Sequence, residues 1–142
     1  TRRRRRARPT NLPMSMPDGE GAVRLTEISY GTAKPVEGYG PGFFRVGGHV
    51  LQGACLITPW DAGLWGGLED TSTVLTLAGR IDVLLLGTGG QIAHAPRAFI
   101  DALEAGGIGV EAMASPAACR TYNVLLGEGR RVAAALLPVD AV

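Results

Sequence analysis

Residues 81–137 constrain this chain more than any other stretch. They read as three apolar strands, Ile81 to Leu86, Ile108 to Met113 and Arg131 to Leu137, separated by two short helices. Val83-Leu84-Leu85-Leu86 lacks the alternation of a half-wetted strand, as expected of a strand covered on both faces. Pro96 can open a helix at its first position, where a missing N–H costs nothing, and Ser115 can cap the next helix ahead of Pro116. Phe99, Ile100 and Leu103 mark the inner side of the first helix, and Gly106-Gly107 ends it. Tyr122 and Leu126, with Ala118 or Cys119, line the inner side of the second. This order favours right-handed crossovers with helices packed on a sheet.

The first half adds a β-rich layer. Residues 1–21 carry Arg, Pro, Met and Gly without a periodic apolar face and read as a flexible arm, leaving 22–142 as a single globular domain. Leu25 to Tyr30 is a short strand candidate, and Gly31 to Gly42 reads as a loop rich in Gly and Pro. Phe43 to Val46 and Val50 to Ile57 are strands joined by Gly47-Gly48, a pair suited to a tight hairpin turn. Pro59 ends the second of these, and Trp60, Leu64 and Trp65 are expected to form an apolar flap packed on the core. Glu69 to Leu77 reads as a short helix weakened by Thr71, Thr73, Val74 and Thr76.

The 142 residues, 46 % of them apolar, are enough for one domain with a packed interior. No apolar run approaches the roughly 20 residues of a membrane span. Pro9, Pro13 and Pro17 interrupt anything like a secretory h-region, so a soluble cytoplasmic protein is expected. Net charge is +1, yet Arg2 to Arg6 and Arg8 supply six of the 14 basic residues; without them, 8 face 13 acidic ones, a balance of −5. An acidic body argues against nucleic-acid binding by the folded part. The Arg-rich arm is open to three readings: a disordered tail, a presequence, or a contact with phosphates or an anionic membrane. Thirteen arginines against one lysine, with abundant Gly and Ala, fit a GC-rich bacterial genome. Cys55 and Cys119 lie in apolar settings and read as buried free thiols. His49 and His94 have no ligand-spaced Cys or His neighbours, so no metal site is expected; no cofactor is assigned.

Gly87-Thr88-Gly89-Gly90 falls where the first strand of the second half ends, the place where α/β sheets bind ligands and where backbone N–H groups can face an anion. It is not a dinucleotide fingerprint: Ile92 stands where a third Gly belongs, and no helix follows promptly. The sole lysine, Lys34, follows no Gly-rich run, so a P-loop is absent. A tight strand-to-helix turn explains the glycines equally. His94 follows, as an exposed loop residue or a base. Arg120, Thr121, Asn123, Glu128 and Arg130 form the densest polar cluster of the second half. Arg120 and Asn123 can present donors to an anion, or Asn123 can satisfy backbone groups while Glu128 pairs with an arginine. No G-x-S-x-G elbow or Cys–His pairing is visible, and no catalytic residue is assigned.

Val83 to Gly89 ending in Gly-Thr-Gly, Gly107-Ile108 with Val110-Glu111, Ala118-Cys119 with Thr121-Tyr122-Asn123 and Leu125, and Glu128-Gly129-Arg130 with Val132 to Leu136 occur in this order. Tyr39-Gly40 with Phe44-Arg45, then Pro59 and Trp65, add weaker landmarks. Together the stretch from Ala22 to Val139 resembles a small family of unknown biochemical activity. That family includes mitochondrial NADH dehydrogenase (complex I) assembly factor 3 and an adipogenesis-associated cytosolic protein. The resemblance implies a three-layer α/β fold: a mixed sheet with helices on one side and a smaller β layer on the other. It implies a non-catalytic binding or assembly protein, with a respiratory-chain subunit as a possible class of partner. The expected contact surface combines Gly87, Thr88, Gly89 and Gly90 with His94, Arg120, Asn123 and Arg130. The rival expectation is a small enzyme or sensor holding an anionic metabolite at the glycine loop.

Overall fold

Gly47 and Gly48 take φ of +59° and +81°, the left-handed pair of a two-residue hairpin. They join β2 (Phe43–Val46) to β3 (His49–Gln52) in the computed structural model, which describes residues 34–140. The expected arm, residues 1–21, and the expected strand from Leu25 to Tyr30 lie outside the described residues. β1 (Val36–Gly40) pairs antiparallel with β2 to complete a three-stranded sheet of order β1-β2-β3. This strand falls inside the stretch expected to be loop. Gly40 serves there because the Phe43 ring lies over it and leaves no room for a Cβ.

The expected single strand from Val50 to Ile57 is two strands. Gly53, at φ +96°, turns the chain out of the small sheet, and β4 (Cys55–Ile57) continues in a second one. β5 (Ala62–Leu64) pairs antiparallel with β4 in the segment expected to be a flap. The second sheet has the order β5-β4-β8-β6-β7, with β6 (Val83–Thr88), β7 (Gly109–Met113) and β8 (Val132–Leu137). β6 runs parallel to both β7 and β8, and β8 runs antiparallel to β4, so the sheet is mixed.

α1 (Thr71–Leu75) precedes β6, α2 (Arg97–Ala105) links β6 to β7, and α3 (Ser115–Gly127) links β7 to β8. The two crossovers step in opposite directions along the sheet, so right-handedness sends them to opposite faces. Leu84 and Leu86 of β6 and Ala133 and Ala135 of β8 pack with Val74, Leu77, Phe99 and Leu103 on the α1–α2 side. Burial of Phe99 and Leu103 contributes about 1.5–3 kcal/mol each. The other face of β6 carries Leu85 and Gly87 and receives α3, whose Ala118, Cys119, Tyr122 and Leu126 are buried. The architecture is thus α/β, a mixed sheet flanked by helices and a smaller β layer. α3 departs from full segregation of the helices, because it shares its side with the small sheet through Asn123 and β1. Among the described residues no helix is long and apolar enough to cross a membrane.

Candidate interaction surface

Gly87 lacks a side chain because α3 begins directly above it. A Cβ at Gly87 would stand 2.6 Å from Ser115 Oγ and 2.8 Å from Leu136 Cδ2. Ser115 does not cap α3, which has Ala114 at its N-cap without a side-chain bond. Its hydroxyl instead accepts the Gly89 N–H at 2.9 Å and donates to the Leu137 carbonyl at 2.6 Å, while its own N–H donates to the Gly89 carbonyl at 2.7 Å. Thr88 Oγ1 donates to the carbonyls of Gln91 (2.8 Å) and Met113 (3.2 Å) and accepts the Ala93 N–H (3.0 Å). Gly-Thr-Gly is therefore a latch joining the ends of β6, β7 and β8 to α3. The Gly89 amide points into that latch rather than to an open crevice. Gly90 and the stretch from Gln91 to His94 are exposed beyond it.

The polar cluster of α3 divides. Asn123 accepts the Val36 N–H through Oδ1 at 2.8 Å and donates Nδ2–H to the Val36 carbonyl at 2.9 Å. It thereby acts as a surrogate strand for the edge of β1. Arg120 is exposed, and Val124, one turn on, is 58 % exposed beside it. Arg130 does not join the glycine loop. Its neighbour Arg131 offers its carbonyl to the Asp82 N–H at the start of β6 (2.9 Å), whereas Gly87 and Thr88 end that strand. Six strand residues at ~3.3 Å each put the two about 20 Å apart. Glu128 is exposed and makes no ion pair among the described residues, where the pairs are Arg97–Asp101 and Arg131–Asp82.

Cys55, on β4, and Cys119, on α3, are buried free thiols. Burial, with the neighbouring Cys119 thiol, pushes Cys55 up to about 12, and burial pushes Cys119 up to about 11. Both are neutral at physiological pH, so neither is a ready nucleophile. Among the described residues no group of His, Cys, Asp and Glu is placed to hold a metal ion.

A second surface escaped the sequence reading. Of the three flap residues, only Trp65 packs inward, 5 % exposed, with its ring 6.0 Å from Phe99 and its Nε1–H donated to the Asp70 carbonyl at 2.9 Å. Trp60 is 49 % exposed and Leu64 66 %. Adjacent residues of an extended chain point to opposite sides, so Leu64 and Trp65 cannot both face the core, and this signal was available in the sequence. Trp60, Leu64, Leu56, Leu77, Asp61 and Arg80 border a groove of about 250 Å³ between the β4–β5 turn and α1. The Arg80 guanidinium lies 4.0 Å above the Trp60 ring. The Asp61 carboxylate accepts the Thr58 hydroxyl at 3.1 Å.

The chain is similar to a known group of proteins. Residues 36–137 match the family described as "Protein of unknown function (DUF498/DUF598)". An uncharacterized protein of Rhodobacter capsulatus is 49 % identical over 113 residues, 80 % of this chain and 91 % of its own length. NADH dehydrogenase [ubiquinone] 1 alpha subcomplex assembly factor 3 of Danio rerio is 34 % identical over 127 residues, 84 % of this chain and 72 % of its own. Among solved structures, one described as an outer membrane protein from Bartonella henselae superposes with a TM-score of 0.69 at 36 % identity, covering 76 % of this chain and 97 % of its own. The glycine latch, the Asn123 tether and the two-sheet core lie within the matched region, and the chain belongs to the DUF498/DUF598 family.

Proposed function

We propose that this protein assists the assembly of respiratory complex I by holding a protein partner, without catalysing a reaction itself. The observation that carries this reading is the 34 % identity with a complex I assembly factor over 84 % of the chain. The chemistry of the described residues supports it. The two thiols are held neutral, and the hydroxyls of Thr88 and Ser115 are spent on the latch. In this reading Gly87, Thr88, Gly89, Gly90 and Asn123 shape the surface from beneath. Arg120 and Val124 on the outer side of α3, with the exposed His94 stretch, meet the partner; Arg130 belongs to its far rim. The protein works in the cytoplasm and reaches the membrane through that partner.

Affinity isolation of the tagged chain from native extract tests the reading. A respiratory-chain subunit should co-purify, and Arg120→Glu should reduce its recovery about tenfold, the effect of losing a central interface arginine. Recovery of nothing above background would contradict the proposal.

A further inference from the structure

The groove beside α1 has the parts of a recognition site, and its cation is pre-positioned. Arg80 follows Gly79, whose φ of +83° makes the turn after α1. The Arg80 N–H donates to the Leu77 carbonyl at 2.8 Å. Arg131 staples the same turn to the second sheet: its Nη2–H donates to the Gly79 carbonyl at 2.9 Å while its Nε faces Asp82 at 3.3 Å. The Arg80 side chain then stacks on Trp60 at 4.0 Å. Backbone and guanidinium are both held before any partner arrives, so less conformational freedom is lost on binding. Arg80 is exposed and makes no ion pair among the described residues. The groove beside it is floored by Leu56 and Leu77 and rimmed by Trp60 and Leu64.

An exposed Trp stacked under Arg, next to a hollow that sets Leu56, Leu64 and Leu77 beside Thr73 and Thr76, has the composition of an interface hot spot. Charge selects the partner. The one carboxylate bordering the groove, Asp61, is already engaged by Thr58, whereas the Arg80 charge has no carboxylate within ion-pair reach among the described residues. We infer that this groove docks a segment of a partner protein that inserts one large apolar side chain between Trp60 and Leu64 and sets an Asp or Glu against Arg80. The inference rests on the assembly reading above and adds a contact on the opposite side of the second sheet from α3.

Photo-crosslinking in intact cells tests it, with p-benzoylphenylalanine placed in the full chain at Leu64 in one strain and at Val124 in another. The Leu64 probe should give an adduct whose partner peptide, read by mass spectrometry, carries Asp or Glu within four residues of the linked position. Arg80→Glu and Trp60→Ala should each lower that yield about tenfold, and Arg97→Glu, a matched charge reversal on α2, should leave it unchanged. Thermal unfolding of each variant establishes that the fold is kept. Three results would overturn the groove proposal: an adduct at Val124 but none at Leu64, which leaves the assembly reading standing; a Leu64 adduct between two copies of this chain; or a partner peptide without acidic residues whose yield ignores Arg80→Glu. No adduct at either position would overturn both.

Discussion

Tyr122 Oη is buried with no hydrogen-bond partner among the described residues. Burial, and secondarily the charge of Asp61, pushes its pKa above the ordinary phenol value, so it stays neutral. A buried hydroxyl without a partner costs about 1–3 kcal/mol. Tyr122→Phe keeps the ring and should raise stability by about 1 kcal/mol in urea unfolding; a loss of stability would mean that the hydroxyl is bonded in solution. Asn123, one residue on, is the opposite case. Asn123→Ala strands both polar groups of Val36 and should cost about 1–3 kcal/mol, with faster amide exchange along β1. The sequence marked Asn123 as polar in an apolar stretch and allowed that it satisfies backbone groups. Which backbone it reaches, 87 residues away, depended on two sheets meeting at α3 and could not be read locally. The thiols give a pH dependence. Their folded pKa values, about 12 and about 11, exceed the ordinary value near 9, so their contribution is complete below pH 9 and is lost as pH rises through 11 and 12. Unfolding midpoints should fall across that range, and less steeply in a Cys55→Ala, Cys119→Ala double variant.

The elements are held by small devices at their ends. The latch among β6, β8 and α3 has no slack at Gly87, because a methyl there meets Ser115 and Leu136. Gly87→Ala should destabilise by about 1–3 kcal/mol, the usual cost of overpacking. Ser115→Ala should cost a similar amount by stranding the Gly89 N–H and the Leu137 carbonyl. α1 depends on Asp70, whose carboxylate accepts from the Thr73 hydroxyl at 2.7 Å, the Ser72 hydroxyl at 3.1 Å and the Thr73 N–H at 3.3 Å. The Thr73 hydroxyl is the main cause of its lowered pKa. A lowered pKa stabilises above the ordinary carboxylate value and ceases to do so as pH falls through the folded one. Asp70→Asn should therefore lower the melting temperature at neutral pH, with the difference closing in acid. The strands and helices of the second half were legible because their apolar runs are long and bounded by Gly and Pro. β1 and β5 were not, since both are short, Gly-containing edge strands paired on one side only, so neither carries the long apolar run of a central strand. The break at Gly53 was hidden for a related reason: the residues on either side are equally β-prone, and only the change of sheet separates them.

At the scale of the molecule, the five-stranded sheet divides two kinds of surface. α3 and the small sheet occupy one side, tied by Asn123. α1, α2 and the Trp60 groove occupy the other. The expected grouping of glycine loop, Arg120, Asn123 and Arg130 compressed this into one patch, because sequence proximity along α3 does not reveal that its ends lie at opposite ends of β6. The proposed role is assistance to complex I by protein contact alone. Native gel electrophoresis of membranes from a strain lacking the gene tests it most directly. Assembled complex I should fall and partial complexes accumulate, with recovery on re-expression of the wild-type chain but not of Arg120→Glu. Complex I at wild-type abundance and size in the deletion strain would contradict it.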